Sequence, residues 1–194
     1  MIDHLDSQLH KNPTLGITYL YTDYKDQANQ TLVHILGSFL RQFLATTLEP
    51  IPDEIIQQLH DIRRRGRKVE IEDSLAMLKI WLKLHYLKRA FICIDAVDEL
   101  EPKVRRQLLE VLKELGTNYN TRLFLTGRGH IGSEVKNCFD VIERYTVVIS
   151  ASQQDIQEFV IREIREDRKS NPEAMDKALE KDIIDAIIGK SQGM

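Results

Sequence analysis

From Ala28 to Ala45 the apolar residues Leu32, Ile35, Leu36, Phe39, Phe43 and Leu44 recur at spacings of three and four, which lines them along one stripe of a helix. Upstream, Ile17 to Thr22 reads ITYLYT, a β-branched and aromatic run after Pro13 and Gly16 that predicts a strand. Pro50 and Pro52 then punctuate the chain, and Pro52 opens a short helix, PDEIIQQLHDI, with Asp53 and Glu54 at its positive end and RRRGRK closing it. From about Glu72 to Tyr86 a third helix carries Leu75, Met77, Leu78, Ile80, Trp81, Leu82 and Leu84, too many large apolar residues for one stripe, which predicts burial on more than one side. It leads into FICID, residues 91–95, an unpatterned apolar strand of the kind buried in parallel sheets.

After Pro102 the run VRRQLLEVLKEL predicts a helix stopped at Gly116, followed by a short strand at 122–126 and another, RYTVVIS, at 144–150. Beyond 150 the pattern turns wholly helical. Ser152 and Asp155 form a capping pair, and Asn171-Pro172 starts a further helix. This order implies an α/β fold, a parallel sheet covered by helices on both faces. We divide the chain into a lead, 1–16, an α/β core, 17–150, and the beginning of a helical subdomain, 151–194, whose last element, ending SQGM, reads as cut rather than finished.

Composition narrows the function classes. A chain of 194 residues with 42% hydrophobic and 29% charged residues and a formal charge of -3 is that of an ordinary globular protein with no global attraction to nucleic acid or anionic membrane. No apolar run reaches the ~20 residues that cross a bilayer, and the N-terminus lacks the layout of a signal peptide, so a cytoplasmic protein is expected. Cys93, inside the apolar strand, and Cys138 fit a reducing compartment and show no metal spacing. The basic run Arg63, Arg64, Arg65, Arg67, Lys68 has no interleaved aromatics and reads as a solvated loop rather than a nucleic-acid patch.

The candidate chemistry lies at two strand ends. Ligands of open parallel sheets gather at the carboxyl ends of strands, and Asp95 closes the strand FICID. A carboxylate there is partly desolvated and needs a partner or an ion; it can hold magnesium while Asp98 and Glu99 orient an attacking water. The plainer reading of Asp98, Glu99 and Glu101 is that acidic residues open the next helix at its positive end. On the neighbouring strand, LFLTGRGH brings Thr126 and Arg128 toward the same crevice, where an arginine can sense a terminal phosphate or simply pair with a surface carboxylate.

Taken together, the segment Asp95, Ala96, Val97, Asp98, Glu99 resembles the Walker B segment of NACHT-type signalling NTPases, and LFLTGR resembles their sensor strand, with Gly127 where Ser is usual. ITYLYTDYKDQANQT is similar to the family's second strand and turn, and VISASQQDIQEFVIREI to the entry of its helical subdomain, so the resemblance spans about residues 15–194. It is closest to the NACHT domains of fungal NOD-like proteins, also described as nephrocystin-3-like N-terminal domains. The resemblance implies a partial P-loop NTPase-like sheet in a signal-transducing module, with Asp95 toward magnesium, Asp98 and Glu99 at the hydrolytic water, and Thr126 and Arg128 as the sensor toward ATP or ADP. It also implies ankyrin, WD40 or TPR repeats in full-length relatives, and protein partners or self-association.

One part of that pattern has no counterpart. A phosphate loop reads G-x-x-x-x-G-K-[ST], and the 194 residues contain no such run. Gly189-Lys190-Ser191 resembles its tail, but position 184 is Ile and the segment follows a helix. The expectation is a truncated module that carries Walker B and sensor residues, holds neither magnesium nor nucleotide tightly, and does not hydrolyse nucleotide alone. Two other readings stay open: a magnesium-dependent nucleotide or phosphodiester hydrolase completed by a partner, and an interaction module that uses the fold without nucleotide.

Overall fold

Three strands carry the fold: β1, Leu15–Tyr21, β2, Arg89–Asp95, and β3, Thr121–Leu125. They pair in parallel in the order β1-β2-β3, with Tyr21 opposite Asp95 and Ile94 opposite Leu125. The structure, a computed structural model, describes residues 12, 14–46, 50–84, 88–140, 145–149, 152–170 and 176–191. Between β1 and β2 lie α1, Leu32–Thr46, α2, Asp53–Arg64, and α3, Ile71–Leu82; α4, Pro102–Asn118, links β2 to β3, and α5, Gly132–Cys138, follows. Two further helices, α6, Gln153–Ser170, and α7, Lys177–Ser191, belong to a second compact unit, Tyr145–Met194, separate from the first, Met1–Arg144.

The helices of the first unit gather on one face of the sheet. Ala90, Ile92 and Ile94 join Leu36, Phe39 and Phe43 of α1, Ile55 of α2, Leu78 and Trp81 of α3, and Leu108, Leu109 and Leu112 of α4 in one core. On the other face Ile17 and Cys93 are buried, but Tyr19, Tyr21 and Phe124 are exposed and none of these joins that core. The expectation of helices on both faces is therefore corrected for the described residues of this unit. Right-handed crossovers that step in one direction along a sheet leave their helices on one side, and the order β1-β2-β3 contains no reversal.

Local signals explain most of the boundaries. Pro102 occupies the first turn of α4, and Glu101 caps it by accepting from the Val104 amide at 3.3 Å. Gly116, expected to stop that helix, lies inside it; the chain turns extended only at Tyr119, whose amide still donates to the Leu115 carbonyl at 3.1 Å and which packs on the core. A glycine inside a helix costs about 1 kcal/mol, less than the burial that the extra turn brings. The Ser152–Asp155 pair does cap α6: the Ser152 amide donates to Asp155 at 2.9 Å and the Asp155 amide to the Ser152 hydroxyl at 3.1 Å. The Ser152 hydroxyl, which donates to the Asp155 carboxylate at 2.7 Å, and then the Ser152 amide hold that carboxyl below its ordinary pKa. Asn171 and Pro172 lie outside the described residues.

Residues 145–149, expected in a strand, form no part of the three described strands. Tyr145, Val147, Val148 and Ile149 are 86%, 80%, 87% and 91% exposed. Cys93 and Cys138 are free, and burial pushes both thiols up. Among the described residues no helix is long and apolar enough to cross a membrane.

The core closes tightly over β1. The Phe43 and Trp81 rings stack at 4.2 Å, and a Cβ on Gly16 would overlap Trp81 and stand 3.3 Å from Phe43 Cδ1. Gly16→Ala is expected to lower stability by about 1–3 kcal/mol through overpacking, read as a lower urea midpoint at unchanged m-value.

Candidate functional site

The site grows from one turn at the end of β2. Ala96 adopts φ 56°, ψ 43°, and among the described residues it is the one non-glycine with positive φ. Such a conformation costs an L-residue about 1–2 kcal/mol. Hydrogen bonds from both neighbouring strands hold it. From the β3 side the Thr126 hydroxyl accepts from the Ala96 amide at 2.8 Å and donates to Asp95 Oδ1 at 2.5 Å. The Thr126 carbonyl also accepts from the Val97 amide at 2.9 Å. From the β1 side the Thr22 hydroxyl shares its proton between the carbonyls of Asp95, at 2.9 Å, and Ala96, at 2.5 Å.

The left-handed turn drops the chain into a 3-10 turn, Val97–Glu99, with Val97 buried beneath it. Asp98 is thereby carried inward: its side chain is 4% exposed, against 77% for Arg128. Its carboxylate accepts from the Arg128 backbone amide at 3.2 Å, and the Arg128 guanidinium stands 3.7 Å from Asp98 and 3.9 Å from Glu99. Glu99 accepts from the Tyr24 amide at 3.2 Å, and Gln27 donates to the Glu99 carbonyl at 2.7 Å. Arg105, on α4, anchors the turn from below by donating to the carbonyls of Asp98 and Leu100, both at 3.3 Å, while pairing with Glu134 at 3.0 Å. Tyr24, Gln27, Asp98, Glu99, Arg128 and His130 line an open depression of about 520 Å³.

The five residues singled out in the sequence fall into two adjoining groups. Asp95 and Thr126 form one; Asp98, Glu99 and Arg128 form the other. The helix-opening role weighed for all three acids belongs to Glu101 alone, since Asp98 and Glu99 bond to Arg128, Tyr24 and Gln27 instead. Gly127 sits in close quarters: a Cβ there would stand 2.8 Å from Ile131 Cδ1 and 3.2 Å from Asp98 Oδ1, so a Ser at this position requires those side chains to shift. Thr22, Tyr24, Gln27 and Arg105 went unread in the sequence. Thr22 had a usable signal, because it ends the first strand as Asp95 ends the second.

Among the described residues no three carboxylate, histidine or cysteine side chains come together as a metal cage. What the strand end offers is a single exposed carboxylate with one oxygen engaged by Thr126. That suits magnesium arriving with phosphates, which needs one or two carboxylates and keeps several waters, and does not suit an ion held by the protein alone.

The clamp makes a prediction. Ala96→Val places a β-branched side chain in the left-handed region and is expected to cost about 1–3 kcal/mol, whereas Ala96→Gly changes stability by less than about 1 kcal/mol. Equal losses in thermal unfolding of the two variants would show that the turn is not under this constraint.

A search of curated proteins finds no match to this chain. Among solved structures, the Walker-type ATPase PABY2304 of Pyrococcus abyssi is similar at 13% identity and a TM-score of 0.41, over 94% of this chain and 60% of that one. This chain thus spans less than two thirds of that chain's length. The family model described as nephrocystin 3, N-terminal, matches residues 1–128, which hold all three strands and every residue of the two groups above. The chain belongs to the nephrocystin 3 N-terminal family.

Proposed function

We propose that this chain is the sensing part of a NACHT-type, signal-transducing NTPase module whose phosphate grip lies outside the residues that it carries. In this reading Asp95 faces magnesium, Asp98 and Glu99 flank the position of the hydrolytic water, and Thr126 and Arg128 report the state of a bound ATP or ADP. One observation carries the reading: the Thr126 hydroxyl joins the Asp95 carboxylate to the Ala96 amide. A displacement of the metal-side carboxylate therefore reaches the neighbouring strand end through a single side chain. Magnesium, when bound with nucleotide, would neutralise charge on the phosphates.

The chain's own residues orient more than they bind. The depression presents two carboxylates and one guanidinium, so a nucleotide polyanion meets net negative charge unless magnesium accompanies it. Gly127, Gly129 and Gly132, which lead into α5, are followed by Ser133 and Glu134, where a phosphate loop needs Lys and Ser or Thr. The isolated chain is therefore expected to bind nucleotide at about millimolar strength, near 4 kcal/mol, and to turn it over no faster than the Asp95→Asn variant.

The test is a titration of the folded 194-residue chain with Mg-ATP and Mg-ADP, followed by amide chemical shifts. The expected response is confined to the amides of Ala96, Val97, Glu99 and Arg128, appears only near about 1 mM, and is reduced in Asp95→Asn and Arg128→Ala. Arg128 is 77% exposed, so the second variant keeps its fold. Saturation at micromolar nucleotide, an Asp95-dependent turnover, or no response at these amides would each overturn the proposal.

A further inference from the structure

Two connections tie the acidic turn to the segment that follows β3. The first, through Thr126, belongs to the strand ends themselves. The second runs through Arg105 of α4. Its Nη1 donates to the Asp98 and Leu100 carbonyls, both at 3.3 Å, while its Nε and Nη2 each reach Glu134 Oε2 at 3.0 Å. Glu134 lies on α5, six residues beyond Arg128, and the Arg128 amide donates to the Asp98 carboxylate at 3.2 Å. These contacts close a ring: from Asp98 to Arg128, along the chain to Glu134, across to Arg105 and back to the Asp98 carbonyl. Ile131, between the two anchor points, is buried in the core.

An exposed ion pair would contribute little, but the Arg105 side chain is only 11% exposed. Two nitrogens on one carboxylate oxygen fix the plane of the guanidinium, and that plane aims Nη1 at the two carbonyls. Among the described residues Glu134 Oε1 is buried without a hydrogen bond, so Oε2 and Arg105 carry the hold on this carboxylate. The Asp98 carbonyl shares its peptide plane with the Glu99 amide, and fixing that plane fixes the direction in which the Asp98 side chain leaves the turn. We propose that Arg105 is a positioning residue, itself oriented by Glu134, that holds the Asp98 carboxylate against the Arg128 amide. Asp95 is positioned by Thr126 instead, so the two adjoining groups of the site have separate supports.

The consequence for nucleotide rests on the function proposed above. Loss of the Arg105 fork is expected to remove the Mg-ATP response of the Glu99 and Arg128 amides and to leave that of Ala96 and Val97, whose amides are bonded to Thr126. The positioning itself needs no nucleotide and is read in the free chain.

Amide hydrogen exchange of the 194-residue chain without nucleotide tests it, in Glu134→Ala and in Arg105→Lys, which keeps the charge but not the planar fork. The Arg128 amide is expected to exchange about tenfold faster in both variants, while the Ala96 and Val97 amides change by less than about twofold. Glu134 is 29% exposed on its helix, so its variant keeps the fold and decides the matter even where Arg105→Lys unfolds. Equal acceleration of all three amides would show a general loss of stability and overturn the proposal. An Arg128 amide indifferent to Glu134→Ala, or wild-type exchange in Arg105→Lys, which would show that charge alone suffices, overturns it as well. The expected exchange pattern in a chain that gives no response to Mg-ATP supports the positioning role and overturns only the nucleotide reading.

Discussion

A single hydroxyl group, that of Thr126, sets the geometry on which the site depends. It accepts from the Ala96 amide and donates to Asp95, so both its hydrogen-bonding capacities are used on the neighbouring strand. Thr22 does the corresponding work from the other side. A left-handed alanine costs about 1–2 kcal/mol, and a net hydrogen bond contributes about 1 kcal/mol. Several such bonds converge on Asp95, Ala96 and Val97, so the strained turn is over-determined. Asp98 and Glu99 reach Arg128 and Tyr24 because the turn points them there.

That clamp works only because the ladder brings three carboxyl ends level. The register places Tyr21 opposite Asp95 and Ile94 opposite Leu125, which leaves Thr22 and Thr126 flanking the Asp95–Ala96 peptide. The same sequential order that achieves this also gathers the helices on one face and supplies no reversal of strand order, the place where open sheets form their deepest crevice. The depression at the strand ends is consequently open, and its charges are worth little while water screens them. Alignment and enclosure are separate achievements here, and the three strands provide the first.

The sequence made the elements legible wherever burial and periodicity agreed. The stripe from Leu32 to Phe43 and the apolar run before Asp95 both became core, and Asp95, Asp98, Glu99, Thr126 and Arg128 lie at adjoining strand ends as their positions implied. Illegible were the features that depend on a neighbour. Gly116 reads as a stop, but Tyr119, packing on the core, draws the helix past it. Residues 145–149 read as a strand because propensity is local, and none of the described strands includes them. Arg105 looks like one basic residue among many on α4, and only the fold shows its guanidinium beneath the carbonyls of Asp98 and Leu100. Gly127 looks like a mild departure, and only the fold shows that a larger residue there would press on Ile131 and Asp98.

Asp98 and Arg128 also differ in how firmly each is held. Asp98 is almost wholly covered and takes its closest bond from Arg128 through the backbone amide, at 3.2 Å, whereas the guanidinium stands off at 3.7 Å and is mostly in water. A buried carboxylate that relied on the guanidinium alone would be stranded whenever the side chain moved, at a cost of several kcal/mol. Because the main-chain amide holds it, and solvent already screens the ion pair, the guanidinium can leave for little cost. The main-chain amide thus fixes Asp98 whether or not the guanidinium stays close.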